Sequence, residues 1–207
     1  MNNQIQMKEN YIEIKFQIIN SFKKGFENYN EILGNINNGK VYKKTDRNIY
    51  DLYIPFTAAK RKEKYNKILL LIHGGGWMKG NKEELNDLCE MYVEMEFIVA
   101  SIEYTLLDEG ISEEYNIYKI LDEITTAMKS IKNELKKEGF NEDKLEVAIG
   151  GHSAGAHLSL LYSYKIKNPP ILIKFVINLS APTTLEYEHW LMLATFNDTL
   201  DSIDSPS

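Results

Sequence analysis

Residues 145–164, LEVAIGGHSAGAHLSLLYSY, contain the pattern Gly-X-Ser-X-Gly at Gly151-His152-Ser153-Ala154-Gly155. The aliphatic run before the pattern predicts a strand over Leu145–Gly150, and the residues after it predict a helix over Ala154–Tyr164. A serine between a strand and a helix lies on a sharp, strained turn, and small neighbours relieve the crowding around its backbone. Its side chain then projects at the positive end of the helix dipole. The pattern predicts a nucleophile at Ser153, although short patterns of this kind also arise by chance.

A glycine run lies directly after a second aliphatic segment. His73-Gly74-Gly75-Gly76-Trp77 follows the predicted strand Lys67–Ile72. Attack on an acyl carbonyl builds negative charge on its oxygen, and each backbone N–H group aimed at that oxygen stabilises the transition state by about 2.7–4 kcal/mol. Glycines let the backbone approach without side chains in the way. Both motifs in this order and context favour an oxyanion-binding loop over a flexible glycine turn.

Strands and helices alternate along the chain. Lys67–Ile72 is almost continuously aliphatic, as in strands covered on both faces of a parallel sheet. From Lys67 onward the alternation indicates a parallel sheet with crossover helices, so we predict an α/β fold with helices on both faces. The remaining predicted strands are Asn48–Ile54, Phe97–Tyr104 and Leu172–Leu179, and the remaining predicted helices are Asn81–Met95 and Ser112–Glu138.

The first 34 residues predict a helix that precedes this alternation, with apolar side chains near helical spacing. It is interpreted as a helix that packs on the main domain, with a lid over a substrate as the alternative. We therefore treat residues 1–207 as a single domain, with an N-terminal helical extension over 1–40 and the core over 41–207.

Composition excludes several classes of protein. A chain of 207 residues with 43% hydrophobic and 26% charged residues fits one globular domain. Its net charge of −6 argues against non-specific nucleic-acid binding. The single cysteine, Cys89, permits no intramolecular disulfide and is expected to be a small core residue. The N-terminus has no signal-peptide pattern and every apolar run is too short to span a bilayer, so a soluble, cytoplasmic protein is expected.

The two motifs resemble those of the α/β-hydrolase superfamily, in the branch of hormone-sensitive-lipase-like and bacterial feruloyl-esterase-like carboxylesterases, with kynurenine formamidases as close relatives. The resemblance runs from about residue 48 to about residue 182. It rests on Ile72–Trp77 with Gly80 behind it, on Ser101–Tyr104, which is similar to the family's strand ending in Tyr-Arg, and on Gly151–Leu158.

The resemblance implies an α/β-hydrolase fold with Ser153 as the nucleophile. It also implies an oxyanion hole formed by the N–H groups of Gly75, Gly76 and Ala154. Position 105 is Thr where the family usually has Arg. The family continues into further strands that deliver the acid and the histidine, so this sequence resembles the front two thirds of a hydrolase that lacks the last strands.

A serine nucleophile needs a histidine base and an acid that orients it. The chain has four histidines, of which three lie in or beside the two motifs: His73, His152 and His157. The fourth, His189, is interpreted as a residue on a helix of a cap region. The alternative makes it a substitute base, with Glu186, Glu188 or Asp198 as the acid that orients it.

Two functions follow. The first is a serine hydrolase of small acyl esters or aryl formamides that works through an acyl-enzyme on Ser153. The second is a catalytically inactive truncated remnant, or a non-catalytic binding domain, without the acid and histidine. No metal or organic cofactor is expected, because the histidines lack a zinc-binding spacing. The expected partner is a small ester or amide substrate, with neither nucleic acid nor membrane, and an exposed sheet edge at Leu172–Leu179 predicts self-association.

Overall fold

A computed structural model of the chain describes residues 35–42, 47–64, 66–107 and 116–182. The helix predicted over the first 34 residues lies outside the described residues, as do His189 and its three candidate acids. The described residues form one six-stranded sheet in the order β1-β2-β4-β3-β5-β6. The strands are β1 (Asn35–Val41), β2 (Ile49–Ile54), β3 (Asn66–Ile72), β4 (Ile98–Ile102), β5 (Leu145–His152) and β6 (Leu172–Leu179).

In the part of the chain that the structure describes, four α-helices and two short 3₁₀ helices lie between these strands. The α-helices are α1 (Phe56–Ala59), α2 (Asn86–Glu94), α3 (Ile117–Lys137) and α4 (Ala154–Lys165), and the 3₁₀ helices span Lys82–Leu85 and Glu142–Lys144. The strands β4, β3, β5 and β6 run parallel, whereas β1 and β2 pair antiparallel at one side. The predicted α/β fold with a mostly parallel sheet is confirmed.

Helices cover both faces of the sheet, and the strand alternation sorts the core into two clusters. On one face Leu70 packs with Ile120 of α3 and Leu158 of α4 in the larger cluster. On the other face Leu69 packs in the smaller cluster with Cys89 of α2. Every residue of β3 from 68 to 72 is at most 1% exposed, because both of its faces are covered.

Cys89 is a core residue, as predicted. Its side chain is fully buried and has no disulfide partner. Burial raises the pKa of the Cys89 thiol to about 12, so the thiol stays protonated and unreactive at neutral pH.

Two predicted helices begin later than expected. The helix predicted over 81–95 starts as a 3₁₀ helix and becomes α-helical only at Asn86. Asn81 caps its start: the backbone N–H of Asn81 donates to Glu84 Oε1 at 3.3 Å. The helix predicted from Ser112 begins at Ile117, because the side chain of Asn116 accepts a hydrogen bond from the backbone N–H of Tyr118 at 3.0 Å.

The strand β1 was not predicted at all. Its sequence, NINNGKV, has no apolar alternation, and the strand forms through backbone pairing with β2 that includes an irregularity between Asn37 and Lys40. At this point the Gly39 N–H donates to Asp51 Oδ1 at 2.7 Å. The boundary drawn at residue 40 therefore falls inside a strand of the sheet, and the division of the chain there stays a prediction.

The other side of the described sheet ends at β6. Leu172 and Phe175 of this strand are 58% and 55% exposed, so the predicted apolar edge is present in the described part of the chain. Self-association through that edge stays a prediction. Among the residues that the structure describes, no helix is long and apolar enough to span a bilayer.

Candidate active site

The Gly-X-Ser-X-Gly segment forms a sharp turn between β5 and α4, here called the elbow (residues 151–155). Ser153 has φ 51° and ψ −114°, a backbone conformation that L-residues adopt only under strain. Two hydrogen bonds hold it there: its N–H donates to Leu179 O at 2.8 Å, and its carbonyl accepts from the N–H of His157 at 3.0 Å. The side chain is therefore presented from a backbone that the surrounding structure fixes.

Both glycines of the elbow are needed for close approach to β3. Gly151 pairs with Ile72 in the parallel ladder, and a Cβ on either Gly151 or Gly155 would overlap the Ile72 carbonyl oxygen. A side chain at these positions would push the elbow away from the end of β3. The first residue of α4, Ala154, is buried at the helix N-terminus, where the backbone N–H groups have no partner within the helix.

The segment that follows β3, here called the oxyanion loop (residues 73–80), passes directly over the elbow. A Cβ on Gly74 would lie 3.4 Å from Ser153 Cβ and 3.1 Å from His152 Nδ1. Gly75 has φ 103°, and its carbonyl accepts from the N–H groups of Met78 and Lys79 at 3.1 and 3.0 Å, which closes a tight turn. The structure thus brings the two predicted motifs together.

His73 is a structural part of the oxyanion loop. Its side chain is fully buried, its ring stacks on Tyr104 with centroids 4.3 Å apart, and Nδ1 lies 2.8 Å from Gly74 O. Burial lowers the pKa of His73 to about 4. The ring is therefore neutral at pH 7, with Nδ1–H donating to the Gly74 carbonyl, and it is not available as a base.

The start of the oxyanion loop is held by Tyr104, which follows β4. The buried Tyr104 hydroxyl lies 3.3 Å from His73 O and 3.4 Å from Gly74 O, and donates to these carbonyls. Burial raises the pKa of Tyr104, so this hydroxyl keeps its proton. Tyr104 thus fixes the carbonyl groups of the first two peptides of the loop.

The end of the loop is held by Arg47, from the segment that connects β1 and β2. Arg47 Nη2 donates to Gly80 O at 2.6 Å, and Nε donates to Tyr104 O at 3.2 Å. The same guanidinium pairs with Glu103 Oε1 at 2.5 Å. The second Glu103 oxygen accepts the backbone N–H of Lys82 at 2.7 Å, just beyond the loop. Neither motif includes Arg47, so no role was predicted for it.

Thr105 stands where the family usually has Arg. Hydrogen bonds from Thr105 connect the segment after β4 to α3. Its backbone N–H and its hydroxyl donate to the two carboxylate oxygens of Glu123, at 2.9 and 2.8 Å. Glu123 is 1% exposed on α3, so this pair is fully desolvated. A guanidinium does reach this end of β4, but it comes from Arg47.

Of the two remaining histidines of the described residues, one lies in the elbow and the other lies just after it. His152 is exposed, and His157 is half-buried with its ring against Trp77 at a centroid distance of 5.2 Å and an interplanar angle of 85°. Burial lowers the pKa of His157. His157 thus packs inward, and no side-chain hydrogen bond joins either histidine to Ser153. The candidate base His189 stays a prediction.

This fold, with a serine elbow beneath a glycine loop at the carboxyl ends of parallel strands, is that of an α/β hydrolase. Residues 50–186 match the model of the BD-FAE family, a family of the α/β-hydrolase type. The chain belongs to the BD-FAE family, and the predicted α/β-hydrolase relationship is confirmed. A comparison with curated proteins found no match.

Solved structures of esterases share the fold. Esterase B from Lactobacillus rhamnosis, with a C6-C4 SN3 inhibitor, is 20% identical, with a TM-score of 0.60 over 95% of this chain and 66% of that chain. The same enzyme inhibited by a C4-C4 SN3 tributyrin phosphonate gives 18% identity and a TM-score of 0.61, over 99% and 67%. An arylesterase gives 21% identity and a TM-score of 0.57, over 74% and 47%. The chain thus spans about two thirds of the length of Esterase B.

Proposed function

We propose that this chain carries the nucleophile and oxyanion hole of a serine hydrolase of carboxylic esters. The observation that supports this most directly is the placement of the oxyanion loop over Ser153, with the Gly74 backbone in contact distance of the elbow. Ser153 has a strained backbone at the N-terminus of α4, where the helix dipole and free N–H groups favour a developing negative charge.

In the proposed reaction, Ser153 Oγ attacks the acyl carbonyl carbon and its proton passes to a base. The carbonyl oxygen becomes negatively charged and accepts hydrogen bonds from the N–H groups of Gly75, Gly76 and Ala154. The bond to the leaving oxygen then breaks, the alcohol departs with the proton, and the acyl group remains on Ser153. Water attacks this acyl-enzyme by the reverse sequence of proton transfers and releases the acid.

The candidate for the base within this sequence is His189, oriented by Glu186, Glu188 or Asp198, and the alternative is that the triad is incomplete. His73 is excluded by its burial, its stacking on Tyr104 and its lowered pKa. This part of the proposal rests on the sequence alone.

Small acyl esters are the proposed substrates. The name of the tributyrin phosphonate inhibitor of Esterase B points to short acyl chains in that enzyme, and the arylesterase name points to aryl leaving groups. Aryl formamides remain a second substrate class, supported by the resemblance of Gly151–Leu158 to formamidases.

Labelling with a fluorophosphonate tests the proposal, because the reagent reports an activated serine whatever the substrate. We expect the wild-type chain to be labelled and Ser153→Ala to lose the label entirely. Ser163→Ala is the matched control, since Ser163 lies on the same helix and only donates to Ser159 O at 2.8 Å. Hydrolysis of p-nitrophenyl butyrate against an aryl formamide would then separate the two substrate classes.

A folded wild-type chain that takes no label would overturn the proposal and favour the non-catalytic binding domain. If the label is found, His189→Ala should abolish it. The loss of a triad histidine costs about 10⁶ in kcat in a well-studied protease.

A further inference from the structure

The oxyanion loop is closed by its own backbone. A Cβ on Gly80 would lie 2.7 Å from Gly74 O and 2.9 Å from His73 Nδ1, so the last residue of the loop packs on the first two. Within the loop, a Cβ on Gly75 would overlap the Lys79 carbonyl oxygen. The two halves of the loop are thus in direct contact, through the main chain and the His73 ring. A displacement of Gly80 must therefore displace Gly74 and the N–H groups that follow it.

The loop is held from outside at both ends, by Tyr104 at the start and by Arg47 at the end. The contacts of the Arg47 guanidinium include a carbonyl of the loop, the Tyr104 carbonyl and the Glu103 carboxylate. Its side chain is 25% exposed and that of Glu103 is 6% exposed, so this pair is largely desolvated. A planar guanidinium fixes direction as well as distance, which an ammonium group does not.

We propose that Arg47 is a positioning residue that orients the N–H groups of Gly75 and Gly76. It does so because it fixes the Gly80 end of the oxyanion loop against Glu103 and Tyr104. Arg47 does not touch the reacting atoms. The effect on catalysis rests on the proposed function, whereas the effect on the loop does not. The Arg47 contact thus extends the oxyanion machinery to a connection between two antiparallel strands that neither motif includes.

The test uses three variants of the full chain. Arg47→Met keeps the apolar stem and removes the guanidinium. Arg47→Lys keeps the positive charge but loses the planar, forked arrangement of N–H donors. Arg61→Met is the matched control, because Arg61 also pairs with a carboxylate and a carbonyl: Nη1 lies 2.8 Å from Glu96 Oε2, and Nη2 donates to Glu96 O at 2.7 Å. That pair lies on the surface, in a different part of the molecule.

The first readout is the position of the loop. The chain has 12 glycines, so ¹⁵N-glycine labelling gives a simple amide spectrum. In Arg47→Met we expect the signals of the four loop glycines, at 74, 75, 76 and 80, to shift, while those of Gly139 and Gly150 stay. Arg61→Met should leave all six unchanged. Unmoved loop glycines in folded Arg47→Met would overturn the proposal, and so would equal shifts throughout the spectrum.

The second readout is the reaction at Ser153. In Arg47→Met the fluorophosphonate rate and kcat should fall about 10- to 100-fold with KM changed less than threefold, because misaimed donors weaken only the transition state. Arg47→Lys should recover part of the rate. Shifted loop signals with an unchanged rate would overturn the catalytic role. If the wild-type chain takes no label, the proposed function fails, and the glycine spectrum alone decides the role of Arg47.

Discussion

The elbow and the oxyanion loop meet at the candidate site but are held in different ways. The elbow is fixed by backbone packing: Gly151 and Gly155 lie against the end of β3, and two backbone hydrogen bonds hold Ser153. The oxyanion loop is fixed by side chains from elsewhere in the chain, namely Tyr104 after β4 and Arg47 before β2. The elbow therefore needs only its own motif and the ends of the strands β3 and β6, whereas the loop needs side chains that its motif does not contain.

Because of this difference, substitutions in the elbow and in the oxyanion loop should have different effects. A change in the elbow meets main-chain atoms that cannot move aside, so it should affect the stability of the whole domain. A change around the loop removes a side-chain contact and leaves the sheet intact, so it should affect the loop first.

Gly155→Ala should have the largest effect. The new Cβ would overlap the carbonyl oxygens of Ile72 and His73, and main-chain atoms at the end of β3 cannot move without disturbing the sheet. We expect a loss of about 3 kcal/mol or more in the free energy of unfolding, at the upper end of the cost of overpacking. Urea unfolding monitored by circular dichroism measures it.

The control for that substitution is Gly39→Ala. Gly39, unlike Gly155, has a left-handed backbone, with φ 64°, and a Cβ there meets nothing within 4 Å. It should cost only about 1 kcal/mol, the penalty of the conformation alone. Equal losses in the two variants would contradict the packing explanation.

The buried His73 ring should make the loop sensitive to acid. Its pKa is about 4 in the folded chain against an ordinary value of about 6.5, so between these values the unfolded chain binds more protons. Stability should fall as the pH drops from 6.5 to 4, by about 3 kcal/mol from this residue. Unfolding free energies at pH 4.5, 5.5 and 7 measure the slope.

His73→Asn should flatten that slope, whatever its effect on stability at pH 7. His152→Asn, at the exposed histidine of the elbow, is the control and should keep the wild-type slope. A His73→Asn chain with the same pH dependence as the wild type would show that the acid sensitivity comes from other groups.

Ser153→Gly should have the smallest effect, and in the opposite direction. Glycine adopts φ 51° and ψ −114° without the strain that a Cβ imposes, so relief of strain should raise the free energy of unfolding by about 1 kcal/mol. The melting temperature should rise while fluorophosphonate labelling disappears. Ser163→Gly, in the last turn of α4, should instead lower stability by roughly 0.5 kcal/mol. A loss of stability in Ser153→Gly would contradict the presence of strain.

The sequence predicted the parts of the fold that follow from local pattern. Leu172–Leu179 was predicted to the residue from its short apolar run. The strand before the glycine loop was predicted to within one residue, because a continuous aliphatic run marks a strand covered on both faces. The contact between the two motifs also followed, since the carboxyl ends of parallel strands meet at one edge of a sheet.

The parts that the sequence did not predict depend on distant partners. The strand β1 has no apolar alternation and forms because β2 offers it a ladder of backbone groups. Arg47 acquires its role only when its connection folds beside Glu103 and the end of the oxyanion loop. Thr105 bonds Glu123 from a helix that begins more than ten residues further along the chain. In each case the deciding contact is long-range in sequence and leaves no local pattern.

The hydrogen bond from the Ser153 amide to the Leu179 carbonyl determines in what fraction of the molecules the Ser153 backbone is held in place. Leu179 is the last residue of β6, and in the described part of the sheet β6 is paired on one side only, with β5. Strands paired on one side open more easily than central ones, and each such opening at Leu179 would break the bond that seats the serine. The free energy of opening this edge therefore influences the fraction of molecules in which Ser153, the proposed nucleophile, is held in place, and any chain that pairs with β6 would raise that fraction.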